Sequence, residues 1–348
     1  MKRIRSIKVF SVFGLLLVGM LLVHVAPSAA AGEKVTWTLA TNPGPAANSW
    51  TFYPFPRFQK LLEKNSGGRF IIQTKMALYP PREVIHAVMA GRVELGWERT
   101  PWLSGTFPIW DLALPFYWDN IFEYEAAMND PRMIAMDRKT FGEKGLVKIA
   151  DIASEALDGI FANKPLASLE DFKGLKIRTA GVIPTLAFKL MGASPLTMAT
   201  TEILEAMQRR TVDAIQTSRG WGLGFGLPDV ASHVSIWRVQ SVFPGMLIAN
   251  KKAFDALPPD LQKILIDTGR EIQGQTNFGA KVEEYESEIG VKVSSLKLIK
   301  PDQKEVDKAR ELVKPVIQEW LKRAGPDGQE VLSITADYAS GAQIMLGR

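Results

Sequence analysis

The stretch SLEDFKGLKIRTAGVIPTLAFKLM, residues 168–191, contains the alternation of elements that decides the fold. Ser168 and Asp171 have the spacing of a capping box and predict a short helical turn. A strand is predicted over 176–179 and a helix over 184–191, from a short apolar run and from helical spacing of apolar residues. A strand that leads directly into a helix is the repeating unit of an α/β protein.

The same alternation continues on both sides of this stretch. The predicted strands are 35–40, 69–76, 93–97 and 212–216, and the predicted helices are 55–62, 84–89 and 201–209. Strands that alternate with helices in this order predict a mainly parallel sheet covered by helices. Asp302 begins a final amphipathic stretch that extends to residue 323 and is interrupted by Pro315.

The length of the chain predicts two lobes. The chain has 348 residues. The number that remains after a predicted leader is larger than one hydrophobic core usually serves. Helical spacing also begins at Pro258-Pro259 and runs to about residue 287, which gives a helix of roughly 40 Å that could lie along both lobes. We predict lobe I over 32–156 plus 244–283, and lobe II over 157–243 plus 284–348.

An export signal is predicted over residues 1–31. Four basic residues precede an apolar run over 9–25, and Ala29-Ala30-Ala31 then supplies the small residues that a signal peptidase requires. A retained membrane anchor is disfavoured, because the uninterrupted run 12–23 is shorter than the ~20 apolar residues that span a bilayer. The chain has no cysteine for lipid attachment. We therefore expect cleavage after Ala31 and a periplasmic protein.

Charge and cysteine content exclude several classes of function. Without the four basic residues of the leader, the 42 Lys+Arg become 38 against 37 Asp+Glu, so the exported chain is nearly neutral. A nearly neutral chain without a basic stripe has no electrostatic footprint for nucleic acid. The absence of cysteine rules out disulfides and thiolate chemistry.

Signals of catalysis are weak. After removal of the leader only His86 and His233 remain, and neither lies in a metal-binding or nucleophile motif. Glycines alternate at Gly220, Gly222, Gly224 and Gly226 without a GxGxxG pattern, which predicts a mobile or tightly turned segment. We predict that the protein is not an enzyme and has neither a cofactor nor a metal site.

Signals of ligand recognition are stronger. Ligands of open α/β sheets bind beyond the carboxyl ends of the strands, and those ends carry Arg99, Arg178 and the run from Gln216 to Arg219. The planar fork of an arginine can hold a carboxylate through two parallel hydrogen bonds. If only the segment around Arg178 is considered, the alternative is that Arg178 is a surface residue on a strand edge.

Three tryptophans near these strand ends could form an apolar wall. Trp97, Trp102 and Trp221 each offer a large apolar face with one hydrogen-bond donor. A position in the hydrophobic core is the alternative for each of them. An apolar wall beside an arginine favours a monocarboxylate with an aliphatic or aromatic body.

Several segments resemble the solute receptors of the tripartite ATP-independent periplasmic (TRAP) transporters, of the dicarboxylate-receptor type. In the first half these are FPRFQKLLEKNSGGRFIIQTKM (55–76), ALYPPREVIHAVMAGRVELGW (77–97) and the Leu-Pro-Phe of 114–116. In the second half they are LEDFKGLKIRTAG (169–181), MGASPLTMATTEILEAMQRRTVDAIQTS (191–218) and IANKKAFDALPPDLQKIL (248–265). Together they cover nearly the whole exported chain in the family's order.

The resemblance implies an α/β, two-lobed periplasmic-binding-protein fold with a hinge and a long helix across both lobes. It implies that Arg178 holds the carboxylate of a small organic acid and that Gln216 and Thr217 contact the same ligand. Asn42 and the loop from Trp97 to Trp102 match ligand-facing positions of the first lobe. It also implies closure on the ligand and delivery to membrane permease subunits, and we expect a monomer.

Departures from the family pattern concern the pocket. Ala214 and Thr217 replace a common glycine and asparagine, and Tyr79 begins a loop with two prolines. Asp158 stands where some members have a second basic residue, and Arg99 stands where members that bind sialic acid have an acid. These changes argue against sialic acid. We expect Asp158 either to pair with Arg99 or to accept a hydrogen bond from a ligand hydroxyl.

Three other functions remain open. A secreted lyase or hydrolase could use Asp158 and Arg99, although a poised base or nucleophile motif is missing. A periplasmic sensor for a signalling protein would share the same fold and pocket. A receptor for an ATP-driven importer is disfavoured by the motifs around Arg178.

Overall fold

The computed structural model describes residues 33–41, 54–80, 82–153, 156, 158–198 and 202–347. The predicted export signal and the candidate ligand residue Asn42 lie outside the described residues. Lys34–Arg348 forms one unit, to which the following architecture belongs.

Strands occupy both halves of this unit. Those of the described residues are β1 (Val35–Thr41), β2 (Phe70–Met76), β3 (Leu95–Arg99), β4 (Leu146–Asp151), β5 (Gly159–Ala162), β6 (Lys176–Thr179), β7 (Ser194–Thr197), β8 (Ala214–Thr217), β9 (His233–Ile236), β10 (Gly245–Asn250) and β11 (Lys297–Ile299).

Helices follow most of these strands. Those of the described residues are α1 (Phe55–Asn65), α2 (Glu83–Met89), α3 (Thr100–Leu103), α4 (Ile121–Met128), α5 (Pro131–Gly142), α6 (Val182–Leu190), α7 (Ile203–Gln208), α8 (Arg219–Gly224), α9 (Lys251–Asp255), α10 (Pro259–Val293), α11 (Gln303–Val313), α12 (Pro315–Ala324), α13 (Gly328–Ala336) and α14 (Ala342–Leu346).

The strands form two sheets. The first has the order β2-β1-β3-β10-β4, and the second has the order β11-β9-β5-β8-β6-β7. Two sheets covered by helices confirm the prediction of a two-lobed α/β protein. The exact lobe boundaries stay a prediction.

The first sheet departs from the expected parallel order at β10. β1 is parallel to β2 and β3, whereas β10 is antiparallel to both β3 and β4. β10 follows β9, which belongs to the second sheet, so the first sheet is completed by a strand from much later in the chain. The strands predicted from local patterns are confirmed. The assignment of residues 244–283 to the first lobe anticipated the return of the chain, but the antiparallel direction of β10 was not predicted.

A single long helix packs against elements of both sheets. α10 contacts α1 and β4 beside the first sheet, and α8 and β11 beside the second. Its 35 residues correspond to about 52 Å, so it extends further than the predicted end at residue 287. Its Gln273 side chain accepts a hydrogen bond of 2.8 Å from the backbone N–H of Asp151 in β4. The predicted long helix is confirmed.

Gly220, Gly222 and Gly224 are helical, so the predicted mobile or tightly turned segment is wrong for these three glycines, whereas Gly226 lies in a turn with a φ of +77°. Ser218 caps α8 by accepting a hydrogen bond from the N–H of Trp221. A Cβ at Gly222 would lie 2.2 Å from the ring of Phe161 in β5. Glycine is needed here because the helix lies directly on an aromatic ring.

The predicted short turn and the break in the last amphipathic stretch are also confirmed. Ser168 and Asp171 form a capping box around a 3-10 turn. α11 ends at Val313, Lys314 links the two helices, and Pro315 begins α12. Within the described part of the chain, no helix combines the length and apolar character that a membrane span requires.

Gly269 in α10 provides a test of this packing. A Cβ at Gly269 would lie 2.7 Å from both the backbone oxygen and Cγ2 of Ile149, whereas one at Gly274 would have its nearest neighbour at 3.8 Å. We expect Gly269→Ala to lower the free energy of unfolding by ~1–3 kcal/mol through overpacking. Gly274→Ala should raise it by up to about 1 kcal/mol through helix propensity. Urea denaturation of both variants measures the difference, and equal effects would show that α10 does not press on β4.

Candidate functional site

Arg178 lies inside the second sheet. Its strand, β6, is hydrogen-bonded to β7 and β8, and Arg178 is in register with Leu196 and Ile215. The residue is only 2% exposed. The alternative reading of Arg178 as a surface residue on a strand edge is therefore wrong.

The guanidinium of Arg178 is held by backbone carbonyls. Nη1 donates to the oxygen of Gln216 at 3.0 Å, and Nε and Nη2 both donate to the oxygen of Met198 at 3.3 Å. Burial lowers the pKa of Arg178 to about 10, because removal from water disfavours the charged form. The group remains protonated at neutral pH, and an anion bound beside it would stabilise its charge.

Gln216 connects this arginine to the crossover between the sheets. Its Nε2 donates to Oε1 of Gln240 at 2.7 Å, and Nε2 of Gln240 donates to the carbonyl of Ala113 at 2.8 Å. Thr217 follows Gln216 in β8 and is 3% exposed. Gln216 and Arg178 thus lie side by side and Gln240 joins them, while their contact with a shared ligand stays a prediction.

Arg99 lies at the end of β3 between two aromatic rings. Its guanidinium carbon is 4.4 Å from the ring centre of Trp97 and 4.9 Å from that of Phe243. Nη1 also donates to the carbonyl of Phe243 at 3.3 Å. Stacking on aromatic faces stabilises a buried cation and fixes its orientation.

The segments that carry Arg99 and Arg178 touch each other. Trp102, in α3, packs against Ala180 and Phe243. A Cβ at Gly181 would lie 2.8 Å from Cβ of Pro101, and Gly181 has a φ of +117° that favours glycine. The end of β3 in the first sheet and the end of β6 in the second therefore meet.

The other two tryptophans have different surroundings. Trp97 is 4% exposed and packs edge-on against Phe55 at 5.4 Å, within the core of the first sheet. Trp221 is half-buried in α8 and lies 4.9 Å from the ring of Phe225. Of the three tryptophans, Trp102 is the one placed where the two sheets meet.

Asp158 is engaged by Arg219. Oδ1 accepts from Nε at 3.1 Å and Oδ2 accepts from Nη2 at 3.4 Å, a pair of parallel hydrogen bonds between fully buried side chains. Burial raises the pKa of Asp158, and Arg219 opposes that rise. Asp158 therefore pairs with Arg219, and the expected pairing with Arg99 is wrong.

A cavity of about 530 Å³ lies beside this ion pair. Asp158, Arg219, Arg238 and Glu284 line it, together with residues from the C-terminal helices. Its lining does not include Arg178 or the other candidate ligand residues apart from Asp158. We place the carboxylate site at Arg178 rather than in this cavity, because the cations of the cavity face acids such as Glu284.

Two residues around the candidate site were missed, and the partner of a third was not predicted. Gln240 and Phe243 lie in the irregular crossover before β10, where no periodic pattern marked them. Arg219 was noted at the end of the run that begins at Gln216, but its partner Asp158 is 61 residues away in sequence. Among the described residues, no group of three or more His, Cys, Asp or Glu side chains could hold a metal ion.

Two β-sheets covered by helices, with a buried arginine at the end of a strand in each, are typical of a two-lobed ligand-binding protein. Residues 44–323 match the family DctP, bacterial extracellular solute-binding protein, family 7, and the chain belongs to this family. The members are the solute receptors of TRAP transporters, so the resemblance seen in the sequence is confirmed.

Individual relatives show the same likeness. A solute-binding protein of Verminephrobacter eiseniae is 29% identical over 253 residues, covering 71% of this chain and 74% of the relative. The structure of DctP7, a Bordetella pertussis extracytoplasmic solute receptor binding pyroglutamic acid, has a TM-score of 0.78 at 24% identity and covers 86% of this chain and 99% of its own.

A third comparison concerns a TRAP periplasmic solute-binding protein from Roseobacter denitrificans with bound β-D-glucuronate. It has a TM-score of 0.76 at 19% identity, covering 86% of this chain and 99% of its own. At such identities the two solved structures show the shared fold.

The Asp158–Arg219 pair generates a stability prediction. Arg219→Met would leave a buried carboxylate without its guanidinium, which typically costs ~3–5 kcal/mol. Because burial already raises the pKa of Asp158, we expect the loss to be smaller at about pH 4, where the carboxyl group can take up a proton, than at about pH 7. Urea denaturation at the two pH values measures this.

A matched control is Arg209→Ala, which breaks an exposed pair with Glu205 and should change stability by less than about 1 kcal/mol. A pH-independent loss in Arg219→Met, or one no larger than in the control, would contradict a charged buried pair.

Proposed function

We propose that the protein is a periplasmic receptor that captures a small organic acid and delivers it to membrane permease subunits. The observation that carries the proposal is the burial of Arg178, whose pKa is lowered to about 10. A lowered arginine pKa means that the surroundings, taken together, stabilise the cation less than water does. A carboxylate ligand would reverse this balance, and the arginine fork suits its two oxygens.

The ligand class follows from what surrounds the two arginines. Trp102 and Phe243 meet beside the end of β6, so the ligand would place an aliphatic or aromatic body against them and its carboxylate on Arg178. Arg99, Gln216 and Thr217 would orient it. A similar class occurs among the relatives, since the Bordetella receptor binds pyroglutamic acid.

Several finer elements belong to the same proposal. Asn42 and Trp221 are proposed at the rim of the pocket, Trp97 would support the pocket through its contact with Arg99, and Asp158 would contact Arg219 rather than the ligand. The lobes would be 32–156 plus 244–283 and 157–243 plus 284–348, closing by hinge motion. The leader over 1–31 would direct the chain to the periplasm. One copy contributes every residue of this site, so a monomer is the proposed functional unit.

Binding without turnover is the proposed role. The family consists of substrate-binding receptors, and the acid that a rival enzyme would use, Asp158, is already held by Arg219. A sensor for a signalling protein would share this pocket and differs only in its partner.

A thermal-shift screen tests the proposal. Pyroglutamate, phenylacetate, glucuronate and succinate would be added to the purified protein, because a ligand at 100 times its dissociation constant stabilises by ~2.7 kcal/mol. We expect a monocarboxylate to raise the melting temperature most, and to be recovered unchanged. Recovery of a converted product would favour the enzyme, and a response to succinate alone would contradict the proposed ligand class.

Arg178→Ala should weaken binding of the best acid by more than tenfold in calorimetry, since loss of a desolvated charged partner costs ~2–5 kcal/mol. Arg209→Ala, which removes an exposed arginine of the same half of the chain, is the control and should bind as the wild type does. Wild-type affinity in a folded Arg178→Ala protein would refute the proposed carboxylate site.

A further inference from the structure

The long helix α10 carries an exposed apolar stripe. Among the described residues, the four most exposed large apolar side chains are Phe278 (64%), Tyr285 (65%), Ile289 (60%) and Val293 (81%). All four lie in the second half of α10. Isolated exposed apolar residues are ordinary on protein surfaces, but a contiguous set indicates an interaction surface.

The spacing of these residues is that of a helix–helix seam. With the half-buried Val282, the sequence Phe278, Val282, Tyr285, Ile289 has steps of four, three and four, which places all of them on one face. The opposite face, including Ser287 and Val291, is buried against the rest of the protein. We call Phe278, Val282, Tyr285, Ile289 and Val293 the α10 stripe.

The α10 stripe is complementary to itself when reversed. Reversal about the peptide bond between Glu283 and Glu284 places Phe278 opposite Ile289 and Val282 opposite Tyr285. Each layer then pairs a ring with an aliphatic side chain, whereas a parallel arrangement would place each ring against its own copy.

The ends of the stripe fit the same arrangement. Val293 falls opposite Gly274, where an added Cβ would have its nearest neighbour at 3.8 Å. That neighbour is a carboxylate oxygen of Glu125 at ordinary contact distance, so Gly274 offers a shallow surface against which Val293 of the second copy could lie.

Charges beside the stripe also match in the antiparallel orientation. Lys281 and Glu288 lie seven residues apart on the same flank of α10. In an antiparallel pair, this flank faces the same flank of the second copy, so each Lys281 would approach the partner's Glu288. Lys281 already pairs with Glu284, and Glu288 pairs with Lys292, Lys300 and Arg219, so contact with the partner would exchange one ion pair for another.

We propose that two copies of this chain associate through an antiparallel pairing of their α10 stripes. The four most exposed side chains offer on the order of 500 Å² per copy, and two copies together reach only the lower limit of a specific interface, about 1,000 Å². The dimer is therefore weak and depends on concentration. This goes beyond the expected monomer, and the ligand site of each copy remains complete.

Sedimentation velocity at about 10 and 500 μM tests the association, over a range that spans weak dissociation constants. The wild type should shift from monomer towards dimer, and Ile289→Glu should stay monomeric at both concentrations. Leu312→Glu, which changes another exposed apolar residue (45% exposed, in α11), is the control and should dimerise as the wild type does.

Cysteine cross-linking tests the orientation, because the chain contains no cysteine of its own. An equimolar mixture of Val282→Cys and Tyr285→Cys should form a mixed disulfide faster than either variant forms one alone. Faster formation with each variant alone would indicate parallel helices and overturn the antiparallel arrangement.

A monomeric wild type at both concentrations, or equal loss of the dimer in Leu312→Glu, would overturn the proposal. If the wild type were monomeric while Ile289→Glu impaired uptake in cells, the stripe would be a surface for the permease instead, which also overturns it. Acid binding by Ile289→Glu is measured in parallel, so that failure of the dimer is separated from failure of the receptor function.

Discussion

The burial of a guanidinium in the interior of a β-sheet is the constraint around which the second half of the protein is arranged. Arg178 is 2% exposed, and its N–H groups donate to the carbonyls of Met198 and Gln216. Those bonds fix the direction of the fork without neutralising it. Because charge interactions are stronger away from water, a carboxylate that reaches the fork gains more there than on an exposed arginine.

The surroundings of this arginine connect it to segments that flank the first sheet. One chain of contacts runs through Gln216 and Gln240 to Ala113. A second runs from the end of β6 to Trp102 and Phe243. The residues that position the site are therefore also residues that join the two sheets, which is the arrangement that ligand-driven closure of two lobes would require.

The sequence was sufficient for elements whose signals are local. The capping box at Ser168, the strand at Arg178 and the helix that begins at Pro259 all follow from spacing within one segment. Pairing between distant segments could not be predicted in this way: the antiparallel insertion of β10, the contact of Arg219 with Asp158 and the stacking of Phe243 on Arg99 depend on long-range packing. The glycines of α8 were misread because Phe161, the ring that Gly222 accommodates, lies on a strand that is distant in sequence.

The most direct test of carboxylate binding at Arg178 is a crystal structure of the protein with the acid that stabilises it most. We predict both carboxylate oxygens within about 3.2 Å of the Arg178 guanidinium nitrogens, with the body of the acid against Trp102 and Phe243. An acid bound instead in the 530 Å³ cavity beside Asp158 and Arg219, with Arg178 still bonded to Met198 and Gln216, would contradict this.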